Sequence, residues 1–245
     1  VRLRFVIAAL CLSSASLGTP LFEPTDLEFE HAGMLDFDFQ LGMMRGPDYS
    51  WRTIITDFEI DFGLTRNIEL NLDGTYAIRG TSSSPFASPQ AVPDALWTSI
   101  KMSPFKWGGI QLGPKFPVAK PNNGIGMAGL ALVGIDVLDL KVVFNTGMLA
   151  DPRPLPGAPR PVGILAGIDV QKPIDCGYYT LIGGVSTVRY LTDYPHQLLT
   201  TAGFQMTPSK HLNISAVVFG GLLGGGDKYG VLLGLSPKMR IFGSD

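Results

Sequence analysis

The sequence predicts an all-β protein, an antiparallel transmembrane β-barrel of about twelve strands. Three observations predict it. An export signal opens the chain, strands with one apolar and one polar face recur after it, and the connections between them alternate between short and long.

The opening Val1-Arg2-Leu3-Arg4 is basic, Phe5 to Leu12 is apolar, and Ser13 to Gly18 supplies small residues for a signal peptidase. That is the layout of a secretory signal peptide over residues 1–18, leaving residues 19–245 for one outer-membrane barrel domain. The apolar stretch is shorter than the ~20 residues a membrane helix takes. Cys11 would suit a lipidated N-terminus if a small residue preceded it, but Leu10 stands there. Beyond the signal Cys176 has no second cysteine to pair with, and a formal net charge of −2 gives no electrostatic footprint for nucleic acid. The most apolar later run, Ile125 to Ala150, is broken by Asp136, Asp139 and Lys141, which argues against a helical span.

Leu35 to Leu41 alternates strictly, with apolar residues at odd positions, so it reads as a two-faced strand. In Thr53 to Gly63, Ile54, Phe58, Ile60 and Phe62 oppose Asp57, Glu59 and Asp61. In Asn67 to Ile78, Ile68, Leu70, Leu72 and Tyr76 oppose Glu69, Asn71, Asp73 and Thr75, and Leu64-Thr65-Arg66 is short enough for a hairpin. Further strands are expected at Ala95 to Phe105, Gly109 to Val118, Ile125 to Ile135, Leu140 to Leu149 and Val162 to Gln171. The last four are Gly177 to Tyr190, Gln197 to Thr207, Leu212 to Leu222 and Gly230 to Ile241. The sixth and ninth strands are apolar on both faces, so parity assigns neither register. Pro104, Pro114, Pro117 and Pro237 fall in or beside strands, where each deletes a ladder hydrogen bond; bulges or different boundaries must absorb them.

Connections are short at Thr65-Arg66, Lys106-Trp107-Gly108, Asp136 to Asp139, Lys172 to Asp175 and Pro208 to His211, and long at Arg79 to Asp94 and Asp151 to Arg160. Short periplasmic turns against longer outer loops are the asymmetry of outer-membrane barrels. Tyr49, Trp51, Trp97, Tyr190, Tyr194 and Tyr229 gather toward the outer rim and Trp107 at a short turn, as interfacial girdles do.

The stretch Asp57-Phe58-Glu59-Ile60-Asp61-Phe62-Gly63-Leu64-Thr65-Arg66-Asn67-Ile68-Glu69-Leu70-Asn71-Leu72 resembles the strand, Gly-Leu-Thr, turn, strand unit of outer-membrane barrels known as putative meta-pathway of phenol degradation proteins. Pro208 to Ser215 resembles their penultimate hairpin. The resemblance implies a channel-like barrel linked with uptake of aromatic or other hydrophobic compounds. Such barrels usually finish on an aromatic residue; here Phe242 stands three positions upstream of Asp245.

With apolar side chains toward lipid, the lumen receives Asp36, Asp38, Asp57, Glu59, Asp61, Glu69 and Asp73, then Lys101, Lys115 and Lys141. An acidic arc beside a basic one would set a transverse field across a wet lumen and serve as a selectivity element. The same groups could instead pair and close the barrel. Passive uptake of small, hydrophobic or aromatic solutes is thus the expected function, and a closed structural or partner-binding barrel the alternative. The expected partners are outer-membrane lipid and a small-molecule solute. No enzyme, cofactor or metal is expected. Gly124-Ile125-Gly126-Met127-Ala128-Gly129 has the spacing of a dinucleotide loop, but Lys120-Pro121-Asn122-Asn123 precedes it in place of a buried strand. Gly220 to Gly230 lacks the Gly-Lys-Ser/Thr of a phosphate loop, and His31, His196 and His211 form no nucleophile or metal spacing.

Overall fold

A computed structural model describes residues 27, 29–46, 51–79, 90–92, 95–117, 123–153, 156–223 and 228–242. The expected signal peptide, residues 1–18, and Tyr49 lie outside them. The strands are β1 (Met34–Arg45), β2 (Trp51–Thr65), β3 (Ile68–Arg79), β4 (Gln90–Val92), β5 (Ala95–Phe105), β6 (Gly108–Pro117) and β7 (Gly126–Val137). Then follow β8 (Leu140–Ala150), β9 (Val162–Ile174), β10 (Tyr179–Tyr190), β11 (Gln197–Ser209), β12 (Leu212–Gly221) and β13 (Tyr229–Arg240).

Every described pairing is antiparallel between neighbours, and β1 pairs with both β2 and β13, so the sheet closes on itself. The wall is twelve strands thick in circumference, because β4 and β5 take successive stretches of the same partner: Ala77 pairs with Val92, and Asp73 with Trp97. The pairing shifts by one residue between the two stretches. Closure leaves no backbone edge facing lipid, which a spanning sheet requires.

The prolines are absorbed locally. The β5–β6 register shifts between Met102 and Phe105, beside Pro104, and its ladder steps from Trp97–Lys115 to Ile100–Leu112 over Pro114. Pro117 ends β6, and the β1–β13 ladder passes from Asp36–Lys238 to Phe39–Leu235 without a rung at Pro237. The unassigned registers resolve as even residues inward: Ala128 and Leu132 are buried on β7, and Thr180, Ile182, Ser186 and Val188 on β10.

The two faces differ as a membrane barrel demands. Leu41, Leu112, Met148 and Leu233 point outward with 54–62% of their surface exposed, and apolar neighbours extend this belt around the wall. The buried inward residues include Asp36, Gln40, Asn71, Lys101, Gln111, Asn145, Asp169, Gln205 and Asn213. At the turn end the girdle residues stack as Phe105 on Trp107 (5.2 Å) and Phe62 edge-on to Phe242 (5.7 Å). At the loop end Trp51 meets Tyr229 edge-on and lies under the Arg45 guanidinium, 4.3 Å from the ring centre. Trp97 and Tyr190 instead pack with lumen-facing residues, because their register puts them on the inner face. Position near a strand end says nothing about which face an aromatic takes.

Candidate functional site

The lumen is chemically divided along its length. Toward the loop end two apolar clusters line it: Met44, Phe219 and Leu232 with Leu199, and Ala128, Leu149, Val188 and Tyr190 with Trp97, Leu165 and Tyr194. Toward the turn end polar side chains predominate on the inner face, with the buried apolar residues Met34, Val143 and Ile182 among them.

There the acidic residues of β1–β3 gather into one arc. Register places Asp36 opposite Asp61 and Asp38 opposite Glu59, and Glu59 opposite Asp73. Like charges directly opposed across a sheet destabilise it unless cations or donors intervene. At the turn-end members of the arc cations do: Lys238 Nζ lies 2.9 Å from Asp36 and 2.5 Å from Glu30, and Lys101 Nζ lies 3.5 Å from Glu69, its register partner. Asn71 sits between two acids and donates to both, to Asp61 Oδ1 and, at 3.0 Å, to Glu69 Oε1.

The other predicted luminal residues fall as follows. Asp36, Asp38, Asp61, Glu69 and Lys101 are buried, and Glu59 and Asp73 half-buried, all on the inner face. Asp57 pairs in register with Gln40, and its side chain lies outside the described residues. Lys115 is drawn away to Asp151 near the loop end, at 2.5 Å, and Lys141 is half-buried at the turn end of β8, opposite Asp136 and Gln171. The lysines therefore do not form a basic arc beside the acidic one. Lys101 belongs to the acidic arc, Lys115 to the upper wall and Lys141 to the lower rim.

Sequence reasoning missed Glu30, Lys238 and the amide residues on the far wall. Lys238 was legible, since Ser236 and Lys238 share the inner parity of β13 against outward Leu233, Leu235 and Met239. Glu30 carried no periodic signal because it precedes β1. It belongs to a segment that turns into the barrel: the Glu30 N–H donates to Glu69 Oε2 at 2.6 Å, and Phe29 lies 4.9 Å under the Lys101 ammonium. Leu27 reaches the wall at β6 and β7, where a Cβ on Gly134 would stand 2.6 Å from its Cδ1. A Cβ on Gly63 would likewise strike the carbonyls of Glu30 and His31. These two glycines leave the room that the crossing segment fills, and the segment narrows the lumen at its turn end.

The three histidines are apart. His31 and His211 are exposed at the turn end, and His196 Nδ1 accepts from the Tyr190 N–H at the loop end. Cys176 is exposed in the 3-10 turn Asp175–Gly177. Among the described residues no group of three or more His, Cys, Asp and Glu could hold a metal ion.

No protein-family model and no curated protein matches the chain. Solved structures do. An outer membrane channel from Pseudomonas putida F1 superposes with a TM-score of 0.63 at 11% identity, over 89% of this chain and 99% of that one. The porin NanC gives 0.58 at 11% identity, over 84% and 100%. The translocator domain of the autotransporter NalP from Neisseria meningitidis gives 0.52 at 11%, over 86% and 90%. At these identities the likeness establishes the fold, that of bacterial outer-membrane β-barrels, and this agrees with the apolar outer belt.

Proposed function

We propose that the chain is exported through residues 1–18 and forms a passive outer-membrane channel for small solutes with apolar or aromatic bodies. The observation that carries this reading is the lengthwise division of the lumen. Apolar side chains at the loop end, Phe219, Leu232, Leu149, Val188 and Trp97 among them, offer an entering solute what water does not. Below them the polar wall can solvate whatever head group the solute carries. A structural barrel has no need of an apolar upper lumen joined to a charged lower one, since either filling alone would close it. That the Pseudomonas putida protein of similar fold is an outer membrane channel supports the same reading.

The reading is tested by swelling of proteoliposomes in iso-osmotic phenylalanine or glucose, solutes of similar size. Phenylalanine should enter faster. Entry of neither into vesicles holding folded protein would refute the channel, and entry of glucose at an equal rate would refute the apolar preference.

A further inference from the structure

We infer that the lumen contains a recognition site for the ammonium group of a small amine with an apolar body, built on Gln111 and the acidic arc; this rests on the channel reading above and names the solute class it favours. One hydrogen-bond relay, from Asn71 through Ser99 to Gln111, runs in a single direction. Asn71 lies between Asp61 and Glu69, and an amide between two carboxylates can present only its NH2 to them. Its carbonyl is thereby turned to Ser99, whose hydroxyl donates to it at 3.5 Å. With that proton committed, Ser99 Oγ accepts from Gln111 Nε2 at 2.9 Å. The carboxylates orient Asn71, and the bonds that follow leave Gln111 with its NH2 toward Ser99 and its carbonyl directed away from the relay.

The relay ends on an oxygen. Gln111 Oε1 has no hydrogen-bond partner among the described residues, and Gln111 is 2% exposed. A buried carbonyl left unpaired is costly, and the group that satisfies it must be a donor. Its register partner Lys101 is turned to Glu69, 3.5 Å away. The site thus offers an acceptor backed by carboxylates. An ammonium, with three donors and no acceptor, complements it; a hydroxyl supplies one donor, and a carboxylate supplies none and meets like charge.

The body of the ligand is set by what stands above. Trp97, on the same strand and face as Ser99, belongs to the apolar cluster with Ala128, Leu149 and Val188, and its indole N–H is already used on the Gly113 carbonyl at 3.1 Å. An apolar or aromatic body therefore meets the carbon side chains of this cluster. The Gln111 oxygen is shielded in the resting arrangement, so binding requires a local rearrangement around it.

Calorimetric titration of the full chain in lipid nanodiscs, with empty nanodiscs subtracted, tests this with benzylamine, benzyl alcohol and benzoate. Benzylamine should bind saturably and about tenfold more tightly than benzyl alcohol, and benzoate should not bind, since hydrogen bonds to a charged group exceed neutral ones by about that factor. Gln111→Leu should weaken benzylamine about tenfold and leave benzyl alcohol within about twofold. Gln111→Glu, which keeps a polar side chain, should tighten benzylamine. Equal binding of amine and alcohol overturns the inference. So does an equal effect of Gln111→Leu on both, or, should that variant not fold, no gain in Gln111→Glu. The readout needs no flux: saturable amine binding without solute entry would refute the channel and leave this site standing, while solute entry without amine preference would refute the site alone.

Discussion

Replacing Lys238 with Met removes one ammonium and keeps the apolar stem. In the parent, Nζ stands 2.5 Å from Glu30 and 2.9 Å from Asp36, with side chains 7%, 9% and 1% exposed. Removing one member of such a buried set leaves charge without its counterion, at a cost of about 3–5 kcal/mol. The lower end is expected here, about 3 kcal/mol, because Glu30 precedes β1 and can move toward water. Urea unfolding of protein refolded into phospholipid vesicles, followed by the gel shift of the unheated sample, reads the change. The triple variant Glu30→Gln, Asp36→Asn, Lys238→Met removes every charge of the set and should return to within about 1 kcal/mol of the parent. A Lys238→Met variant as stable as the parent would refute the claim that this network ties the crossing segment to the β1–β13 seam.

Three further outcomes follow from the geometry. Gly63→Ala drives a Cβ into the Glu30 and His31 carbonyls, so it should cost about 1–3 kcal/mol and expose the 27–31 segment to protease added at the turn side. Leu233→Arg, on the outer face beside Leu41, should cost about 2–4 kcal/mol in vesicles, as a guanidinium near the bilayer midplane does. Phe219→Ala removes the largest ring of the Met44–Leu232 cluster and should cost about 3–5 kcal/mol, with a measurable change in phenylalanine entry.

The wall was largely legible in the sequence because a strand with lipid on one side and polar groups on the other writes its period directly. Leu35 to Leu41 and Asp57 to Leu72 show this, and the expected boundaries of most strands fall within a few residues of the observed ones. Period alone failed where both faces are apolar: Ala128 and Leu132 face inward on β7 like Val133 and Ile135 outward, so only the ladder to Gln111 and Asn145 assigns them. The lumen was legible as a set of residues and not as an arrangement. Parity told that Lys101 and Lys115 point in, but Lys101 finds Glu69 across one ladder and Lys115 finds Asp151 beyond a strand end. Such pairings depend on register and loop position, which no single strand encodes. The crossing segment had no signal, since Leu27, Phe29 and Glu30 are placed by the glycines and acids of strands far along the chain.

The central claim, that the divided lumen conducts, is met most directly by planar-bilayer recording of refolded, heat-modifiable protein. Discrete conductance steps that the Gly63→Ala variant enlarges are the predicted result. Silent bilayers from folded protein, with no phenylalanine entry into vesicles of the same preparation, would contradict it and leave the charges of the lower lumen as the bolts of a closed barrel.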